Sequence, residues 1–120
     1  VSPLEKRHFK VVAYVPEAGD IVWLQFSPQA GHEQAGHRLA VVLSPASYNR
    51  LGLILCCHLT TKRKGYPFEV PIEDERQVAV LADQVKSLDW RIRAASFKGR
   101  ISDSELAQVR AKARSLIGRP

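Results

Sequence analysis

Apolar and polar positions in this chain follow a two-residue period over most of its length and a helical period only at the end. After the turn-forming run Pro16-Glu17-Ala18-Gly19-Asp20, residues 21–26 read as a strand with Val22, Leu24 and Phe26 on one face and Trp23 on the other. A polar stretch with Gly31 and Gly36 separates it from a second expected strand at residues 38–43, which closes at Ser44-Pro45. A connection over 45–52 leads to a continuous apolar run at 53–60, the pattern of a central strand. Lys62-Arg63-Lys64-Gly65 turns the chain. Tyr66, Phe68, Val70 and Ile72 then alternate with Pro67, Glu69 and Pro71, and prolines of one parity predict an edge strand because they cannot donate to a ladder. Further on, 78–82 reads as a short strand, 84–89 as a single helical turn and 91–97 as a last strand.

The C-terminus changes period. Ser102 followed three residues later by Glu105 is a capping-box signature. Leu106, Val109, Ala113, Leu116 and Ile117 fall on one helical face, and Gly118 stands where a helix stops. The expectation is a mainly β fold with a C-terminal α-helix, built as a small, strongly bent antiparallel sheet or barrel. Residues 1–13 read as a flexible N-terminal arm and 14–120 as a single domain.

The chain has 120 residues, 45% of them apolar and 25% charged, which fits one folded core and argues against disorder. No apolar run approaches a membrane span and no charged-then-apolar segment opens the chain, so the expected compartment is the cytoplasm. Cys56 and Cys57 are adjacent, point to opposite faces of a strand and lack metal-site spacing, so they are expected as reduced, buried thiols. The formal charge is +6, and it is unevenly placed. Residues 1–90 balance ten basic against ten acidic side chains, whereas 91–120 carry eight basic ones against Asp103 and Glu105. Such a field suits a polyanion or an acidic protein partner, and it equally suits a solvated basic helix face.

Phosphate-cradling glycine loops, zinc-protease and serine-hydrolase motifs are all missing, which sets those enzyme classes aside. What remains is polar side chains on loops and strand ends. His32, Glu33 and Gln34 sit in a glycine-flanked loop, and Arg38 opens an otherwise apolar strand. Arg38 suits a donor fork for a phosphate, or an ion pair with Glu33. Thr60-Thr61 ends the central strand, where a hydroxyl either bonds a phosphate oxygen or caps the backbone. Asp83-Gln84 follows another strand end. Without a metal, such groups suit cleavage of RNA, which supplies its own nucleophile in the 2′-hydroxyl and leaves a 2′,3′-cyclic phosphate and a 5′-OH. Arginine is a poor proton shuttle. Arg38 is therefore expected to stabilise charge, with His32, Glu33 or a water moving the proton.

Several blocks carry a family resemblance. Gly19-Asp20-Ile21-Val22-Trp23, Phe26-Ser27-Pro28, Gly31-His32-Glu33-Gln34-Ala35-Gly36-His37-Arg38 and Ala40-Val41-Val42-Leu43-Ser44-Pro45 with Tyr48-Asn49 resemble the opening signature of the MazF/PemK toxin family. Thr60-Thr61, Lys64-Gly65-Tyr66-Pro67-Phe68-Glu69-Val70 and the run from Leu81 through Asp83-Gln84 to Arg91 continue it, in order, from about residue 14 to 118. The resemblance implies an SH3-like small barrel forming a homodimer. It also implies a metal-independent, sequence-specific endoribonuclease for single-stranded RNA, needing no cofactor, with a cognate antitoxin whose acidic, flexible tail occupies the RNA site. Arg38 and Thr60 map to its catalytic pair, and a histidine at His32 strengthens that residue, beside Glu33, for proton transfer. The expected substrate contacts are Phe26, Gln34, Asn49, Thr61, Lys64, Asp83 and Gln84. The chain departs from the family pattern at Leu39, where proline commonly follows the arginine, and at Cys57-His58, which replace Val-Pro. It departs again at Leu81, where one branch carries an arginine. A gyrase-inhibiting toxin of the same fold and a non-catalytic RNA-binding SH3-like module are the alternatives, since a fold does not fix an activity.

Overall fold

The computed structural model describes residues 13–26, 36–73 and 78–118. Within them lie β1 (Asp20–Phe26), β2 (Gly36–Val42), a one-turn helix α1 (Ala46–Asn49), β3 (Leu53–Thr60), β4 (Glu69–Pro71), β5 (Ala79–Asp89), β6 (Ser96–Arg100) and the C-terminal helix α2 (Asp103–Ile117). The strands form one six-stranded sheet in the order β4-β5-β3-β2-β1-β6, with antiparallel pairings throughout. The ladder runs from one edge to the other without closing on itself, so in its hydrogen bonds the sheet is open rather than a barrel.

Alternation along each strand builds a core on both faces. Val22, Leu24, Ala40, Val42, Ile54, Cys56 and Trp90 pack on one side. Ile21, Val41, Cys57, Val70, Ile72, Val80 and Ala82 pack on the other, where Leu106 and Val109 of α2 cover them. The adjacent cysteines go to opposite cores, unbonded and buried as expected. Burial pushes the Cys56 thiol up to about 11 and the Cys57 thiol to about 12, so neither is a thiolate at neutral pH.

The helix begins as its sequence requires. The Ser102 hydroxyl accepts the Glu105 N–H and the Glu105 carboxylate accepts the Ser102 N–H. The other oxygen of Glu105 accepts the Glu73 N–H at 2.9 Å, which ties the helix start to the segment after β4. Asp20 anchors the start of β1 to the end of β6, just before the helix. Its buried carboxylate accepts bonds from the Tyr14 hydroxyl, the Glu17 N–H and the Arg100 guanidinium. No helix among the described residues is long and apolar enough to cross a membrane.

Two expectations are corrected. Residues 84–89 are not a helical turn but continue the strand that starts at Ala79. β5 advances five residues, from Val80 to Val85, while β3 advances two, from Leu59 to Cys57. This bulge at residues 81–84 breaks the two-residue period, and the exposed side chains beyond it mimic a polar turn. Residues 91–94 are a turn and the last strand is Ser96–Arg100, later than expected. The cause is Asp89, whose carboxylate accepts the N–H groups of Arg91 and Ile92 and stops the strand. The expected edge strand is indeed an edge, shortened to Glu69–Pro71.

Candidate active site

The functional face is set by register. β2 pairs with β3 through Val42↔Cys56, Val41↔Cys57 and Ala40↔His58. Arg38 stands two residues from Ala40 on β2 and Thr60 two residues from His58 on β3, so strand alternation puts both on the face of that pair. On its other side Arg38 pairs with Leu24 of β1. Directly opposed residues in an antiparallel sheet share a face. Leu24, Phe26, Arg38, His58 and Thr60 therefore line one side of three adjacent strands.

Phe26 is the hub of this face. The Arg93 guanidinium lies 4.4 Å from its ring centroid, that of Arg38 5.6 Å and the His58 ring 6.0 Å. Arg93 arrives from the turn made by Asp89, and the Gln25 N–H bonds its carbonyl at 2.8 Å, stitching that turn to β1. Phe26 is half-buried, and cation–π attraction holds the two arginines around it. An aromatic ring beside clustered cations suits unpaired nucleic acid, whose bases stack while its phosphates are neutralised.

Thr60 is half-buried, and its hydroxyl oxygen accepts the Lys62 N–H at 3.1 Å. That bond uses a lone pair and leaves the O–H to donate, so capping and phosphate binding are compatible. The basic turn beyond it is rigidly built: the Glu69 carboxylate accepts the N–H groups of Lys64 and Gly65, and Gly65 has φ +73°, a conformation that favours glycine. Arg63 is exposed and donates to the carbonyls of Val78 and Ile72. Thr61, Lys62 and Lys64 are exposed.

The bulge in β5 presents Asp83 and Gln84. One Asp83 oxygen accepts the Tyr66 hydroxyl at 3.0 Å, and the other is buried with no hydrogen-bond partner among the described residues. The carboxylate raises the Tyr66 hydroxyl above its ordinary range, chiefly through that hydrogen bond. Gln84 is exposed. His32, Glu33 and Gln34 lie outside the described residues.

Asn49 is not at the site. It is fully buried; its amide oxygen accepts the Ser44 hydroxyl, its amide nitrogen donates to the carbonyls of Pro16 and Ser44, and its own carbonyl accepts the Trp90 indole N–H. With every amide group engaged, it is a structural hub where a substrate contact was expected.

The basic C-terminal quarter also divides. Arg100 pairs with Asp20, Arg110 donates to the Leu43 carbonyl and Lys112 to the Pro67 carbonyl, so these three hold the fold. Among the described residues of that quarter, Arg93 lies over Phe26. Sequence reasoning did not single out Arg93 or His58 for the site. For His58 a signal was present: it stands two residues before Thr60 in a strand, hence on the same face.

Residues 17–117 match the family model described as PemK-like, MazF-like toxin of type II toxin-antitoxin system. The chain belongs to this family. It is 53% identical over 110 residues to the endoribonuclease toxin MazF of Escherichia coli K12, spanning 90% of this chain and 99% of that one. It is 32% identical over 108 residues to the endoribonuclease toxin ChpB of the same organism, spanning 84% and 93%. Among solved structures, MazE-MazF (Form-II) from Deinococcus radiodurans superposes with TM-score 0.84 at 50% identity, covering 90% of this toxin and 100% of that chain. An endoribonuclease from a mycobacterial species, at 18% identity and TM-score 0.70, shares the fold.

Proposed function

We propose that the face carrying Arg38 and Thr60 is where this endoribonuclease toxin cuts single-stranded RNA. The observation that supports the reading is the pairing of Ala40 with His58, whose face strand alternation extends to Arg38 and Thr60, together with the Arg38 guanidinium over Phe26. The open six-stranded sheet with its C-terminal helix is read as the SH3-like fold that the family resemblance implies.

The reaction needs no metal, because the substrate brings its nucleophile. The ribose 2′-hydroxyl loses its proton and attacks phosphorus, the bond to the 5′-oxygen breaks, and that oxygen is protonated. The products are a 2′,3′-cyclic phosphate and a 5′-OH. Arg38 donates to the non-bridging oxygens as charge grows on the pentavalent centre, and Thr60 donates its O–H to the same phosphate. His32, Glu33 or a water are the candidates that the sequence and the family resemblance offer for the proton transfers. Phe26, Gln34, Thr61, Lys64, Asp83 and Gln84 contact the flanking nucleotides, and their spacing on loops and a bulge sets the cut sequence. The protein acts in the cytoplasm as a homodimer, and a cognate antitoxin silences it by laying an acidic, flexible segment across this cationic face. No observation favours gyrase inhibition or binding without turnover.

The test is incubation of the purified protein with a long single-stranded RNA of mixed sequence in EDTA. Discrete fragments with 5′-OH ends are expected, and intact RNA at high protein would refute the reading. Affinity for RNA should fall several-fold between low and moderate salt, as exposed Lys62, Lys64 and Arg38 release counterions; salt-independent binding would contradict it.

A further inference from the structure

We propose that His58 is a catalytic residue of this toxin, taking the proton from the attacking ribose 2′-hydroxyl. The proposal rests on reading the Arg38–Thr60 face as the cleavage site, and it assigns there a group that the family pattern does not supply. That pattern carries proline at this position, which has no proton to accept or give.

Geometry carries the argument. His58 and Thr60 are two residues apart on β3 and share a face, about 7 Å between their Cα atoms. His58 pairs with Ala40, so Arg38, two residues along β2, is its diagonal neighbour at about 7–8 Å. Both side chains lie against one ring: His58 meets Phe26 at 6.0 Å with 46° between planes, and Arg38 stands over the same ring. A phosphodiester gripped by Arg38 and Thr60 therefore has an imidazole at its flank, half-buried and braced by an aromatic neighbour.

The surroundings keep that imidazole neutral. Among the described residues, the charged groups acting on it are Lys86 from β5 and Arg38 from β2, with Arg93 on the Phe26 ring beside it; Asp83 on β5 is already bonded to Tyr66. Burial first, then Lys86 and Arg38, hold its pKa below the ordinary histidine value, so at neutral pH a ring nitrogen has a lone pair to offer. A bound phosphodiester offsets those cations and raises the proton affinity of the ring as the substrate arrives.

The step balances. The 2′-O–H proton passes to the imidazole while the oxygen's electron pair forms the bond to phosphorus. The P–O5′ bond breaks, water protonates the departing oxygen, and the hydroxide left behind takes the proton back from the imidazolium.

The experiment compares kcat/KM against pH for the wild type, His58→Gln, His58→Ala with and without added imidazole, and His32→Ala, each with a melting curve. Binding of an uncleavable 2′-deoxy oligonucleotide is measured in parallel. His58→Gln should lower kcat/KM about 10²-fold and abolish the acid limb of the profile, while Kd for the 2′-deoxy probe stays within about twofold. Imidazole should restore part of the His58→Ala activity. A folded His58→Gln protein with wild-type rate and an unchanged acid limb would overturn the proposal, as would a loss lying wholly in Kd or an acid limb removed by His32→Ala instead. If those variants behave so while the wild type still cuts RNA, only the His58 assignment falls. If the wild type leaves RNA intact, the site itself falls.

Discussion

Replacing Arg38 with alanine is expected to lower kcat/KM for single-stranded RNA by about 10²–10³-fold, the usual loss when one donor to a developing oxyanion is removed. Arg38 is exposed on β2, so its removal leaves both cores untouched and the melting temperature close to that of the wild type. Arg38→Lys should recover only part of the rate, because an ammonium keeps the charge but loses the planar fork. Thr60→Val, which deletes the hydroxyl while conserving shape, should act in the same direction. Its melting temperature should drop slightly, since the Lys62 N–H loses its acceptor. Initial rates on a labelled oligonucleotide containing one cut site, with thermal melts alongside, make the measurement. A folded Arg38→Ala protein that cuts at the wild-type rate would remove this residue from the mechanism.

Asn49→Ala should instead destabilise the fold, by about 3–4 kcal/mol, because several buried partners lose their bonds at once. The Ser44 hydroxyl and the carbonyls of Pro16 and Ser44 all depend on that one amide. Against a typical total of about 5–15 kcal/mol this is a large fraction. Thermal unfolding monitored by circular dichroism should shift down by roughly 10 °C or more. Well below that midpoint the folded variant should cut RNA with an ordinary KM. A normal melting curve with a raised KM would return Asn49 to the role of a substrate contact.

The sequence announced elements wherever local chemistry was self-sufficient. Ser102 and Glu105 cap each other within one turn, so the start of α2 was readable from spacing alone. The largely apolar run 53–60 is β3 residue for residue. Elements that depend on a neighbour were harder to read. The bulge in β5 shows only in how β5 pairs with β3, and no periodicity within 81–89 reveals it. Asp89 ends that strand through its own side chain, a signal present in the sequence but easily read as an ordinary polar residue. The site divides in the same way. Arg38 stood out as a charge at the head of an apolar strand, and Thr60 as a hydroxyl at the end of one. Asn49, adjacent to Tyr48 in a recognisable block, was legible only as polar; burial decides what it does. His58 and Arg93 were hidden because their relation to Phe26 crosses three strands and a turn.

The most direct measurement of the cleavage chemistry uses an RNA oligonucleotide in which only the nucleotide 5′ of the mapped cut is changed to its 2′-deoxy form. The expected result is that this substrate binds as well as the all-ribose one and competes with it, yet is not cut at that position. Its cleavage there at a rate comparable to the all-ribose strand would show that the nucleophile comes from elsewhere, and would contradict the mechanism assigned to Arg38 and Thr60.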